Sequence, residues 1–181
     1  RDRRQVEREG SLPPPIAAAM AFMTRPGDDD TILDPVCGSG TLLAEAAGYA
    51  PGARLLGTDQ DLQAVKTARR NLKGFGTAEV DHADARALDL PEASVSLVLA
   101  NLPFGKQYGD VAENRTLYAE VLGEVRRVAA PRGFRAALLA SDRSLLRDAA
   151  REAGLKVTHD LAIRVRGEDA VVALLKLPSA G

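Results

Sequence analysis

The chain has 181 residues, 45% of them apolar and 27% charged, enough for one domain with a real core. Its net charge of −1 and sequence pI near 6.2 exclude a broad basic surface that would grip nucleic acid by charge alone. No apolar run approaches the ~20 residues that span a bilayer. The charged start Arg1-Asp2-Arg3-Arg4 is unlike a signal peptide, and a single cysteine fits a reducing, cytoplasmic compartment.

Residues 1–12 read as an extension or linker from a further domain, and 13–181 as one domain. Pro13-Pro14-Pro15 stiffens the chain ahead of an Ala-rich helix over Ile16 to Phe22, where proline is tolerated in the first turn. Arg25 to Asp30 is a turn and Thr31 to Asp34 the first strand. A helix over Thr41 to Tyr49 starts straight out of a glycine turn, and Arg54 to Thr58 is the second strand. Leu62, Val65, Ala68 and Leu72 recur at helical spacing, so Leu62 to Leu72 is a helix, ended by Gly74 and Gly76. Ala78 to Asp81 is the third strand. Val95 to Ala100 is nearly unbroken apolar sequence, as in a parallel strand buried on both faces.

A loop is expected to about Glu113, then an amphipathic helix over Thr116 to Ala129, closed by Pro131 and Gly133. Arg135 to Ala140 is the fifth strand, and Arg143 to Ala153 a helix capped by Asp142. Leu155 to Val165 and Ala170 to Leu177 are strands joined through Gly167-Glu168-Asp169. Alternating strands and helices that end in a hairpin predict an α/β, Rossmann-like fold. Its open, mostly parallel seven-stranded sheet has helices on both faces and an antiparallel C-terminal hairpin at the edge.

Two segments carry the chemistry. The turn Asp34-Pro35-Val36-Cys37-Gly38-Ser39-Gly40-Thr41 follows the first strand, and its glycines let backbone approach a nucleoside-bearing cofactor. A dinucleotide site favours glycine or alanine three residues after Gly40, where this chain has Leu43. Asp59 ends the second strand about 20 residues past the turn, where an acid grips ribose hydroxyls. Asp84 can accept from an adenine amine while the N–H of Ala85 donates to the ring. Helix capping at Asp59 and a solvated turn at Asp84 are the plainer alternatives, and Asp61 is the better candidate to cap the following helix. Cys37 lies inside the cofactor turn and reads as a small residue packed there rather than a nucleophile.

The second segment is Asn101-Leu102-Pro103-Phe104-Gly105, after the fourth strand. An Asn is no general base, but its side-chain oxygen and a neighbouring carbonyl can accept both hydrogens of an exocyclic amine. That holds the nitrogen in line with an electrophilic methyl. Pro103 stiffens the loop and Phe104 offers a face for a base to stack on. Together the two segments imply methyl transfer from S-adenosylmethionine (SAM) to a base nitrogen.

These residues resemble the class I SAM-dependent methyltransferases of exocyclic base amines. With Lys106 included, they look most like the THUMP-linked tRNA guanine-N2 methyltransferases. Leu102 departs from the commoner Asn-Pro-Pro-Tyr/Phe of amino methyltransferases, and the proline cluster with its helix from Gly10 to Ala19 adds to the likeness. The resemblance implies SAM as cofactor. Asp34, Cys37, Gly38, Gly40 and Thr41 would lie on its methionine side, Asp59 at the ribose, and Asp84 with Ala85 at the adenine. Asn101 and Pro103 would hold the target amine, with Phe104 stacked on the base. It implies an RNA partner, tRNA first, bound weakly without a THUMP-like domain, and neither metal nor membrane.

Alternatives are an rRNA guanine-N2 or adenine-N6 enzyme, a nucleotide-dependent oxidoreductase and a non-catalytic SAM-fold binding module. RNA contact is expected at Lys106, Arg115 and the N-terminal arginines. Lys66, Arg69, Arg70 and Lys73 share one helix, for which a solvated face is the plainer reading. Tyr108 is a second stacking surface or turn filler. His82 and His159 lack metal-ligand spacing, and Met20 and Met23 read as packing.

Overall fold

A computed structural model describes residues 12–75, 77–102 and 111–179. In chain order the elements are α1 (Pro14–Thr24), β1 (Thr31–Asp34), α2 (Thr41–Tyr49), β2 (Arg54–Asp59), α3 (Leu62–Asn71) and β3 (Thr77–His82), then β4 (Leu97–Asn101), α4 (Val111–Val128), β5 (Arg135–Ala140), α5 (Arg143–Glu152), β6 (Lys156–Val165) and β7 (Glu168–Lys176). They form one seven-stranded sheet in the order β3-β2-β1-β4-β5-β7-β6. All neighbours are parallel except β7, which runs antiparallel to both β5 and β6.

The C-terminal hairpin forms one edge of the sheet, as expected, with its second strand β7 inside and β6 outermost. The reason is apolar content. β7 holds the run Ala170 to Leu175 and is buried over most of its length, whereas β6, with His159, Asp160 and Arg164, stays largely exposed and takes the edge. The turn between them is also shorter than expected. Val165 pairs with Glu168, so only Arg166 and Gly167 turn, with φ of 52° and 88°, the left-handed pair of a tight hairpin.

Other boundaries shift for local reasons. α1 runs two residues beyond its expected span at each end, with proline at its start and Arg25 left-handed at its close. α4 begins at Val111, five residues ahead of the expected Thr116. β4 begins at Leu97 rather than Val95, because Val95 makes only an isolated bridge to Ala129 and Ser96 turns its hydroxyl to Asp30 at 2.7 Å.

Two apolar layers hold the sheet. α1, α2 and α3 cover one face through Met20, Leu43, Ala46, Val65 and Ala68, packed on Ile32, Leu55, Leu97 and Leu99. α4 and α5 cover the other through Tyr118, Leu122, Val125 and Leu146, packed on Leu33, Val98, Ala100 and Leu138. Met20 is fully buried, as expected of a packing residue. Met23 is not, because it shares the outward side of α1 with Phe22, which leans on Tyr49 with ring centroids 6.1 Å apart.

At the end where the parallel strands begin, Arg135 bonds the carboxylate of Asp30 at 2.5 Å and the carbonyls of Thr24 and Arg25 at 2.7 and 2.9 Å. Burial would raise the Asp30 carboxyl, but the bonds from Arg135 and Ser96 hold it below the ordinary carboxylate range. Among the described residues no helix is long and apolar enough to cross a membrane.

Candidate active site

Strand order reverses between β1 and β4, so a crevice opens beyond their carboxyl ends. Leu33 pairs with Val98. Asp34 lies one residue past that pair and Asn101 three past it, so by strand alternation both face the α2 side of the sheet. The glycine turn and the Asn101 loop thus rise from adjacent strands at one end of the molecule.

The turn is held by a set of bonds from its neighbours. Cys37 N–H donates to the carbonyl of Thr58 at 2.8 Å, and the Thr58 hydroxyl donates to the carbonyl of Pro35 at 2.9 Å. Gly38 N–H donates to Asp59 Oδ2 at 2.8 Å, and Asn71 Nδ2 to the carbonyl of Ser39 at 3.0 Å. Gly38 and Gly40 have φ of 53° and 82°, where a side chain is strained. A Cβ on Gly38 would meet nothing within 4 Å among the described residues, so the backbone there faces open space between them. One on Gly40 would come within 3.1 Å of Leu72 Cδ1 at the end of α3.

Asp34 is buried, accepting from the N–H of Val36 at 3.1 Å. Burial pushes its carboxyl up to about 8; the bond from Val36 opposes this and the charge of Asp59 adds to it. Cys37 is buried beneath the turn, and a Cβ on Gly57 would lie 3.1 Å from its Sγ. Burial, then the nearby Asp34 and Asp59, push the thiol far up, so it is not a nucleophile here. Thr41, the first residue of α2, shares a 3.1 Å hydrogen bond with Ser39 through their hydroxyls.

Asp59 ends β2 and accepts two backbone N–H groups, from Gly38 and, at 2.9 Å, from Asp61. Asp61 is the cap of α3, accepting from Gln63 N–H at 2.7 Å, so Asp59 is left to the crevice. Asn101 ends β4 opposite Leu139, and its Oδ1 is buried with no hydrogen-bond partner among the described residues. Such an atom costs about 1–3 kcal/mol unless something donates to it. Leu102 is buried in the core, which accounts for its apolar character in the loop. Pro103, Phe104, Lys106, Tyr108 and the N-terminal arginines lie outside the described residues.

Residues 1–170 match the family model UPF0020, described as RMKL-like, methyltransferase domain. The chain belongs to this family. Its likeness to a mouse tRNA (guanine(6)-N(2))-methyltransferase THUMP3 is 29% identity over 177 residues, covering 89% of this chain and 35% of that protein. A tRNA (guanine(10)-N2)-dimethyltransferase of Methanothermobacter thermautotrophicus is 36% identical over 116 residues, 62% of this chain and 34% of that one. The crystal structure of TrmN from Thermus thermophilus superposes with a TM-score of 0.82 at 29% identity, covering 94% of this chain and 50% of that chain. The chain spans about a third of the length of these curated relatives. Membership of a methyltransferase-domain family displaces the oxidoreductase alternative.

The methyltransferase domain also shows what sequence reasoning missed. Gly57, Thr58 and Asn71 support the turn, although none sits in a recognisable motif. A glycine inside a strand is a signal of close backbone approach, and Gly57 meets it against Cys37 and Leu43. Asp84 is less free than a solvated turn would leave it. Arg86 forks onto its carboxylate at 2.6–3.0 Å and holds it below the usual range against the opposing effect of burial. The segment after Ala85 is stapled to α4 by Glu124, which accepts from Leu88 N–H, and by Arg127, which donates to the carbonyls of Leu88 and Leu90. Arg115 pairs with Glu152 at 2.9 Å, and His82 bonds the carbonyl of Gln60 at 2.9 Å. No His, Cys, Asp or Glu group among the described residues could hold a metal.

Proposed function

We propose that this domain transfers the methyl group of SAM to the exocyclic N2 of guanine in an RNA, with tRNA the first candidate. The observation that carries this is the buried, unpartnered Oδ1 of Asn101 on the strand next to the glycine turn. The chain's residues fit the cofactor. Open space above Gly38 accepts a ligand, the buried Asp34 suits a cationic methionine end, and Asp59 has carboxylate lone pairs beyond its two backbone bonds for ribose hydroxyls. Cys37 and Gly40 shape the floor of the turn and Thr41 its exit, while Asp84 and Ala85 would border the adenine.

When bound, the cofactor supplies an electrophilic methyl on a sulfonium. Asn101 Oδ1 accepts one N–H of the guanine amine, and a carbonyl of the following loop accepts the other. The nitrogen lone pair is then aimed into the cleft, and the proton leaves after transfer, when the nitrogen is cationic and acidic. Pro103 and Phe104 are assigned to stiffening and base stacking. A guanine from a helical stem must be extruded to reach this position, at a cost of a few kcal/mol. The relatives' names support an RNA substrate and a THUMP-type RNA-binding region beyond this chain, and an RNA substrate with one buried cysteine fits the cytoplasm.

Asn101→Ala tests the reading. It should lower kcat by about 10²-fold while SAM affinity changes less than about threefold. Equal loss of both would remove Asn101 from the chemistry, and SAM binding with no turnover on any RNA by the unaltered chain would favour a binding module.

A further inference from the structure

We propose that the solvent face of α3 bearing Lys66 and Arg70, together with Lys73 just past the end of the helix, is a contact for the RNA backbone, running down from the rim of the cofactor cleft. The inference rests on the RNA reading above and deepens it. From Leu62 to Lys73 the chain carries four cations and no acid. One of the four is spoken for: Arg69 turns aside to the carbonyl of Val80 at 2.7 Å and to Asp81 at 3.2 Å.

Lys66, Arg70 and Lys73 are exposed and have no acid partner among the described residues. Lys66 and Arg70 stand one turn apart on α3, about 40° apart in direction and about 6 Å along the axis, and Lys73 follows two residues past the helix end. One nucleic-acid strand presents a phosphate about every 3.4 Å of axis, so Lys66 and Arg70 match about two, with Lys73 as a third cation in the chain just beyond them.

Two features separate this stripe from an ordinary solvated face. Elsewhere exposed arginines are largely neutralised within the fold, as in Arg54–Glu79, Arg86–Asp84, Arg115–Glu152 and Arg151–Asp148. Five other cations without acid partners among the described residues lie at the far end of the sheet. The backbone carbonyl of Arg25 accepts from Arg135 at the start of β5, Arg132 precedes that strand, Lys156 and Lys176 pair across β6 and β7 beside it, and Arg126 is in the last turn of α4. α3, by contrast, starts at the cleft, its cap Asp61 being bonded to the Asp59 proposed for the ribose. In a chain with net charge −1, such a stripe gives RNA a direction of approach.

The test uses the full chain, unmodified tRNA and a triple variant, Lys66→Gln with Arg70→Gln and Lys73→Gln. The slope of log affinity against log salt should become shallower by about 2–3 and low-salt affinity should fall about 10–100-fold. KM for RNA should rise, while kcat at saturating RNA, SAM affinity and Tm hold. A control triple, Arg132→Gln with Lys156→Gln and Lys176→Gln, should keep the original slope. An unchanged slope in the α3 variant overturns the proposal, as does an equal loss in the control, which would mean general charge. Loss of SAM binding in the α3 variant overturns it as well, by making the stripe structural. If the unaltered chain neither binds nor methylates RNA, the functional reading itself fails.

Discussion

Asp34→Asn isolates the electrostatic cost of the site. The carboxyl rises from 3.8 to about 8 on folding, because burial disfavours its charge. The folded chain therefore binds the proton more tightly than the unfolded chain. The contribution of Asp34 to stability is greatest below pH ~4, where both states hold the proton, and declines as pH climbs toward ~8. Across the whole interval the loss is about 6 kcal/mol, or about 1.4 kcal/mol per pH unit. An Asn amide keeps an oxygen for the N–H of Val36 and never ionises, so it copies the protonated acid.

Urea unfolding of both chains between pH 5 and 8 should show the variant gaining on the original by about 1.4 kcal/mol per unit, or about 3–5 °C in Tm. A second readout belongs to the same series. If the cationic end of SAM settles beside Asp34, SAM affinity of the original chain should rise by up to about tenfold per unit over that range, and that rise should vanish in the variant. Parallel stability curves for the two chains would refute the claim that Asp34 is buried and neutral at pH 7.

Gly40→Ala should destabilise by about 2 kcal/mol or more, since φ is 82° and the new methyl would meet Leu72 at 3.1 Å; a loss under about 0.5 kcal/mol in urea would show that the turn yields. Asn71→Ala should weaken SAM binding by about five- to tenfold, because the peptide after Ser39 loses the bond that fixes its plane, and unchanged affinity by calorimetry would reduce Asn71 to packing. Arg135→Ala should cost about 3–5 kcal/mol of stability through stranding the half-buried Asp30, with SAM affinity unmoved; a cost near zero would mean that water replaces the guanidinium.

Much of this fold is written locally. Thr31–Asp34, Thr41–Tyr49 and Arg135–Ala140 have the limits that their apolar spacing and flanking glycines suggest. The position of β7 is not local. Either strand of the hairpin could pair with β5, and the choice turns on which one can be buried, a comparison between Ala170–Leu175 and the charged β6.

The same division holds at the site. The glycine turn and Asn101 stand out because each follows a strand, and the positions of those strands bring them together. The support from Asn71 does not stand out, since an asparagine near a helix end has many ordinary uses and its target lies 32 residues away. The commitment of Asp84 to Arg86 was similarly hidden, because two residues in a turn give no hint of a forked ion pair.

The most direct measurement is nucleoside mass spectrometry after incubating the full chain with unmodified tRNA and SAM carrying an isotopically labelled methyl group. N2-methylguanosine bearing the label is the expected product. Label on adenine N6, on a ring carbon or on ribose, or no label on any RNA while SAM still binds, would contradict the placement of a guanine amine against Asn101.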